Sequence, residues 1–165
     1  MDLRDAEKIE ISSLAKLWHD GWHEAHAQIV PAELTQLRTL ENFRSRLQAL
    51  LQSVRVIGPL CAPAGLCIIK DDELYQLYVS AQSRGTGVAG ALITDAEARL
   101  SEHGVKTAWL GCVIGNERAA RFYEKSGWHR TGMVTYHMDT ALGSFQLKVW
   151  RYEKTLLPSP LHNRG

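Results

Sequence analysis

The chain has 165 residues, 45% hydrophobic and 22% charged, a balance that makes one globular domain and excludes intrinsic disorder. Nineteen Lys+Arg against eighteen Asp+Glu leave a net charge of +1, without the basic excess of a general nucleic-acid binder. No apolar run approaches the roughly 20 residues that span a bilayer, so neither nucleic acid nor membrane is an expected partner.

A chain this long buries about 68–70% of its unfolded surface and needs no disulfide or structural metal. Cys61, Cys67 and Cys112 form no CxxC pair and read as small buried hydrophobes of a reducing compartment. Met1 to Glu7 alternates charge and carries no signal-peptide core, so a cytoplasmic location is expected.

In chain order, Ile11, Leu14, Ala15, Trp18, Trp22 and Ala25 follow one helix face. Pro31 breaks that pattern, and a second helix follows Thr39 with Leu40, Phe43, Leu47 and Leu50 on its stripe. Short runs at 54–57, 66–69 and 74–79 have strand character, and the first two form a hairpin. A helix with Ala89, Leu92, Ile93, Ala96 and Leu100 on its apolar face ends near Gly104. A strand over 107–113, a short helix from Asn116 to Ser126, and strands at 128–131, 133–138 and 145–152 complete the order, the last two joined by a turn at 139–143. This order predicts an α/β protein with a mixed sheet over 1–153, and a loose tail over 154–165.

The chemically informative segment is the turn Arg84-Gly85-Thr86-Gly87, set between a strand and a helix. Backbone N–H groups at such a turn are unpaired and sit at the positive helix end, which makes an anion cradle suited to phosphate. The turn lacks the Gly-Lys-Ser/Thr of a nucleotide P-loop. Gly90 completes a Gly-x-Gly-x-x-Gly spacing, but the segment lies mid-chain with no early βαβ unit, so a nucleotide fold is a poor fit. A plain tight connection would leave the same pattern.

About 30 residues on lies Asn116-Glu-Arg-Ala119-Ala-Arg-Phe122-Tyr123-Glu-Lys-Ser-Gly127-Trp128. Together with Gln82-x-x-Gly85-x-Gly87, this segment resembles the signature pair of the GNAT superfamily of acetyl-CoA-dependent N-acetyltransferases, with Trp128 where the family has Phe. The resemblance covers roughly residues 1–153. It implies a mostly antiparallel mixed sheet with a splayed central strand pair and about four helices. It implies acetyl-CoA as cosubstrate, with no metal, and a primary amine of a small molecule or peptide as acceptor. A ribosomal-protein type N-terminal acetyltransferase and a non-catalytic acyl-CoA sensor are the alternatives, and a homodimer through the late strands is one assembly state the family adopts.

Carried over residue by residue, the resemblance implies that Leu77, Tyr78 and Val79 contact the pantetheine arm, with the Val79 N–H near the thioester carbonyl. Gln82, Arg84, Gly85, Thr86, Gly87, Val88 and Ala89 form the pyrophosphate cradle. Asn116 bonds the pantetheine region, with Ala119 and Phe122 of the same motif beside it, and Tyr123 is the general acid for the departing thiolate. Glu73, with Tyr75, Leu77 and Val79 on one strand face by period two, is the candidate base, against the plainer reading of a solvated strand-start residue. His19, His23 and His26 are spaced along one helix face, yet lack a matching carboxylate or cysteine, so no metal is expected. Trp22 and His26 border the acceptor site in this reading.

Overall fold

The structure, a computed structural model, describes residues 1–157. Seven strands form one sheet: β1 (Leu3–Asp5), β2 (Val54–Ile57), β3 (Gly65–Lys70), β4 (Glu73–Val79), β5 (Thr107–Val113), β6 (His129–Thr140) and β7 (Gly143–Thr155). Their spatial order is β1-β2-β3-β4-β5-β7-β6, and every neighbouring pair is antiparallel except β4 with β5. Five α-helices cover the faces: α1 (Ile11–His26), α2 (Ala32–Leu37), α3 (Leu40–Leu50), α4 (Val88–Glu102) and α5 (Glu117–Lys125).

β3 is buried on both faces, which is why Leu66 to Ile69 reads as an unbroken apolar run. Leu66 and Ile68 join Trp18, Phe43 and Leu47 of α1 and α3 in one core. Cys67 and Ile69 join Leu92, Ala96 and Leu100 of α4, with Trp128 and Tyr152, in the other. The helix starts follow local chemistry: the Thr39 hydroxyl accepts the Asn42 N–H at 3.1 Å, and the Asn116 carboxamide accepts the Ala119 N–H at 3.3 Å.

Several sequence expectations change in the structure. Five α-helices stand where about four were expected, because α2 fits between Pro31 and Thr39 as less than two turns and shows no long stripe. β1 is too short to carry an alternation signal. The expected strands at 128–131 and 133–138 are one strand, β6, interrupted by a bulge near Thr131. The tail expected from 154 is shorter: β7 pairs through Thr155 with Thr107, and Leu156 is in the core. Residues 158–165 of that tail lie outside the described residues. Cys67 and Cys112 are buried in strands, but Cys61 is exposed on a turn with φ +63°.

Candidate active site

β4 and β5 share one ladder pair, Glu73 with Trp109, and then diverge. Trp109 reinforces that junction by donating its backbone N–H to Asp72 O at 3.2 Å and its indole N–H to Asp72 Oδ1 at 3.0 Å. The divergence opens a cavity of about 500 Å³ between the strands, floored by the sheet and walled by α1, α4 and α5. The Ser80 N–H donates to Ala64 O on the β3 side at 2.8 Å. By strand alternation the Val79 N–H then faces the opposite edge, toward the gap.

β4 carries a bulge opposite Ile68/Ile69, where Leu74 and Gln76 pair with successive residues and Tyr75 is the extra one. This corrects the period-two expectation for Glu73, Tyr75, Leu77 and Val79. Leu74, Leu77 and Val79 pack toward α4, whereas Tyr75 and Tyr78 pack toward α1 and α3. The bulge turns the start of β4 so that both sets border one cavity.

At the end of β4 the chain makes the glycine turn. Gly85 and Gly87 have φ of +77° and +89°, in the left-handed region that favours glycine, and a Cβ at Gly85 would meet no neighbour. Gly87 is the N-cap of α4, so the first N–H groups of a 15-residue helix point out of the turn without intrahelical partners. Arg84, Gly85, Gly87, Val88 and Ala89 all line the cavity, as do Leu77, Tyr78 and Val79. Gln82 and Thr86 do not. Gln82 is exposed on a 3₁₀ turn, and the Thr86 hydroxyl is spent on Ser83 O within the loop. The Arg84 guanidinium meets Glu24 at 2.6 Å, and Arg118, a lining residue that the motif did not mark, meets the same carboxylate at 3.8 Å.

The α5 side supplies Asn116, Ala119, Phe122 and Tyr123. The Tyr123 ring lies 5.5 Å from Phe122, 6.5 Å from Trp128 and 6.3 Å from Tyr152, centroid to centroid. Its hydroxyl bonds no protein group among the described residues, and burial pushes the phenol well above its ordinary pKa, so it keeps its proton. Trp22 and His26 also line the cavity, and both are buried. His26 Nδ1 is 3.0 Å from Trp22 O, which fixes that nitrogen as donor and leaves Nε2 to accept from Asn116 Nδ2 at 3.4 Å. Burial lowers the His26 pKa to about 4, so the ring is neutral. His19 and His23 stack at 4.3 Å, while His26 is turned to Trp22 and Asn116. Among the described residues no group of three or more His, Cys, Asp or Glu is placed to hold a metal.

Glu73 is 7% exposed and faces the cavity. Tyr136 of β6, 63 residues away in sequence, donates its hydroxyl to Glu73 Oε2 at 2.7 Å. Burial raises the carboxyl pKa to about 7; the Tyr136 hydrogen bond and the nearby charges of Lys70 and Arg151 oppose that rise, and Asp72 adds to it. Sequence reasoning did not find Tyr136, since no spacing rule links it to Glu73.

A cavity between splayed strands with an anion cradle at one end and a near-neutral carboxylate at the other defines a group-transfer site. Residues 13–128 match the acetyltransferase (GNAT) family, and the chain belongs to that family, whose members are acyltransferases that use acetyl-CoA. It is 32% identical over 115 residues to an uncharacterized N-acetyltransferase of Mycobacterium tuberculosis, covering 68% of this chain and 72% of the relative. Its fold is similar to a GCN5-related N-acetyltransferase structure from Rhodopseudomonas palustris, with TM-score 0.72 at 18% identity over 94% and 95% of the two chains. It is similar also to an N-acetyltransferase from Thermoplasma acidophilum solved with coenzyme A, with TM-score 0.62 at 18% identity over 93% and 98%. No helix among the described residues is long and apolar enough to cross a membrane.

Proposed function

We propose that the protein moves the acetyl group of acetyl-CoA to a primary amine of a small molecule or peptide, by direct attack in a ternary complex. The observation that carries this reading is Glu73, a buried carboxylate with pKa raised to about 7, set in the same cavity as Tyr123 and the glycine turn. The positive φ at Gly85 and Gly87 and the unpartnered N–H groups at the start of α4 suit a pyrophosphate, so the residues present fit the coenzyme. When bound, the coenzyme supplies an activated acetyl thioester.

The chain's own groups divide the remaining work. Arg84 and Arg118 exchange Glu24 for phosphate oxygens. The Val79 N–H, turned into the gap, donates to the carbonyl oxygen as negative charge develops on it. Glu73 takes a proton from the acceptor's ammonium before attack, since only the free amine is a nucleophile, and a base near neutrality ionises without becoming too weak to act. Tyr136 holds that carboxylate in place. Tyr123 keeps its proton until a thiolate needs one.

Thiol release from acetyl-CoA with a mixed panel of small amines and short peptides tests the reading. Release that depends on amine supports it, and the responding member separates a small-molecule acceptor from a peptide N-terminus. Tight acetyl-CoA binding with no release for any amine overturns it in favour of a sensor.

A further inference from the structure

Behind the Tyr75 end of the cavity lie two guanidiniums, Arg46 and Arg38, that pair with no carboxylate among the described residues. Arg46 of α3 donates from Nη2 to Tyr75 Oη at 2.8 Å. Its guanidinium carbon lies 4.3 Å from the Trp18 ring centroid and 5.3 Å from that of Phe43. Its Nη1 is buried with no acceptor. Arg38 is 2% exposed; its Nη1 donates to Asn42 Oδ1 at 3.0 Å and Asp139 O at 2.8 Å, and its Nε is buried with no acceptor. Burial, and then the nearby charge of Arg46, lower the Arg38 pKa to about 10. Lys70 adds a third cation, 5.3 Å from the Tyr75 ring.

Four arginines elsewhere in this fold are neutralised. Arg4, Arg55, Arg99 and Arg151 each meet a carboxylate within 3.2 Å. Neither Arg38 nor Arg46 comes within 4.0 Å of one among the described residues. A buried guanidinium left without a counter-ion, as at Arg38, is costly; the half-buried Arg46 is offset in part by stacking on Trp18. Tyr75 links Arg46 to the site. It lines the cavity two residues after Glu73, its oxygen accepts from Arg46, and its own hydrogen goes to no protein acceptor among the described residues. That hydrogen, polarised by the guanidinium behind it, is free to bond an anionic oxygen.

We propose that the acceptor amine also carries an anionic oxygen group, a carboxylate or a phosphate, held by Tyr75 backed by Arg46 and Arg38, while Glu73 receives the amine. This rests on the N-acetyltransferase reading and narrows its substrate class to amino-acid-like or phosphorylated amines, against polyamines, which the same cations repel. Tyr75 and Arg46 are therefore specificity residues, one touching the substrate and the other acting through it.

The test compares matched acceptors by thiol release from acetyl-CoA: leucine against leucinamide, and phosphoethanolamine against ethanolamine. In at least one pair the anionic member is preferred by about tenfold or more in kcat/KM, the scale of one charged hydrogen bond. Arg46→Met and Tyr75→Phe, checked for folding by circular dichroism, reduce that preference to under about threefold by raising KM for the anionic member, and Arg46→Lys restores part of it. A wild-type enzyme that favours the neutral member of both pairs, or a preference that survives in both folded variants, overturns the proposal. Absence of release with every amine overturns the transfer reading instead. In that case tryptophan fluorescence is titrated with succinate and with inorganic phosphate. Saturable quenching in the wild type that Tyr75→Phe loses sustains the anion site, and no quenching by either overturns it.

Discussion

The two ends of the cavity are built by different means. At the glycine-turn end the groups are backbone N–H donors presented by Gly85 and by Gly87 to Ala89 at the start of α4. At the other end they are side chains from distant segments: Glu73 on β4, Tyr136 on β6, Trp22 on α1, and Arg46 of α3 behind Tyr75. A backbone cradle recognises a ligand that does not vary and is written as a short local pattern. A side-chain pocket is assembled by topology and changes one residue at a time. The contrast sets how each end fails when altered.

The largest expected effect comes from Tyr123 of the α5 motif, the proposed proton donor. Tyr123→Phe lowers kcat by about 10²–10⁴ while coenzyme affinity changes little, read by steady-state thiol release beside calorimetry. A wild-type kcat would show that the thiolate leaves without this donor.

Next is Glu73→Gln. As the proposed base Glu73 acts only when ionised, so wild-type activity is expected to fall as pH drops through about 7. The variant loses that inflection and is about 10²-fold slower near pH 7.5. The deficit narrows at alkaline pH, where the amine is neutral without help. Profiles that overlay would remove Glu73 from the reaction. The same shift has a stability signature. A carboxyl raised from 4.5 to about 7 by folding contributes stability that is present below the unfolded value and lost as pH rises through the folded one. Thermal melts should therefore show Glu73→Gln gaining more over the wild type at pH 8 than at pH 4.5.

Gly87→Asp breaks the coenzyme end. The aspartate takes a φ of +89° at some strain and places a negative charge where the cradle presents N–H groups. A loss of about 10–100-fold in coenzyme A affinity is expected by calorimetry, about 1.4–3 kcal/mol. Unchanged affinity in a folded variant would take the turn out of the site.

The smallest effect sharpens the role of packing between the ends. Helix propensity alone predicts that Gly21→Ala within α1 stabilises by about 1 kcal/mol. A Cβ there would lie 2.6 Å from the Tyr78 ring, so urea unfolding should instead show a loss of about 1–3 kcal/mol.

What the sequence disclosed follows the same division. The glycine turn and the Asn116 to Trp128 segment were readable because their structural roles are local: a turn that needs positive φ, a helix cap, and a tyrosine one turn from its neighbours. The unbroken apolar run of β3 and the stripes of α1, α3 and α4 gave most of the architecture for the same reason. The bulge at Tyr75 was not readable, since it depends on how β3 pairs with β4, and it inverted the face assigned to the residues after it. Tyr136 was hidden by 63 residues of intervening chain. Arg118 sat inside the recognised motif, but only the fold turns it to Glu24 and the cradle.

The single bridge between β4 and β5 has a mechanical meaning. The sheet is two half-sheets, β1 to β4 and β5 to β7, whose backbones are tied at one corner and otherwise held by the side chains of the layer that includes α4, where Leu74 and Leu77 meet Leu110 and Tyr152. Unpaired strand edges along the gap contribute nothing to cooperativity between the halves. An extended ligand hydrogen-bonded to both edges would supply the missing ladder and make the two halves unfold as one.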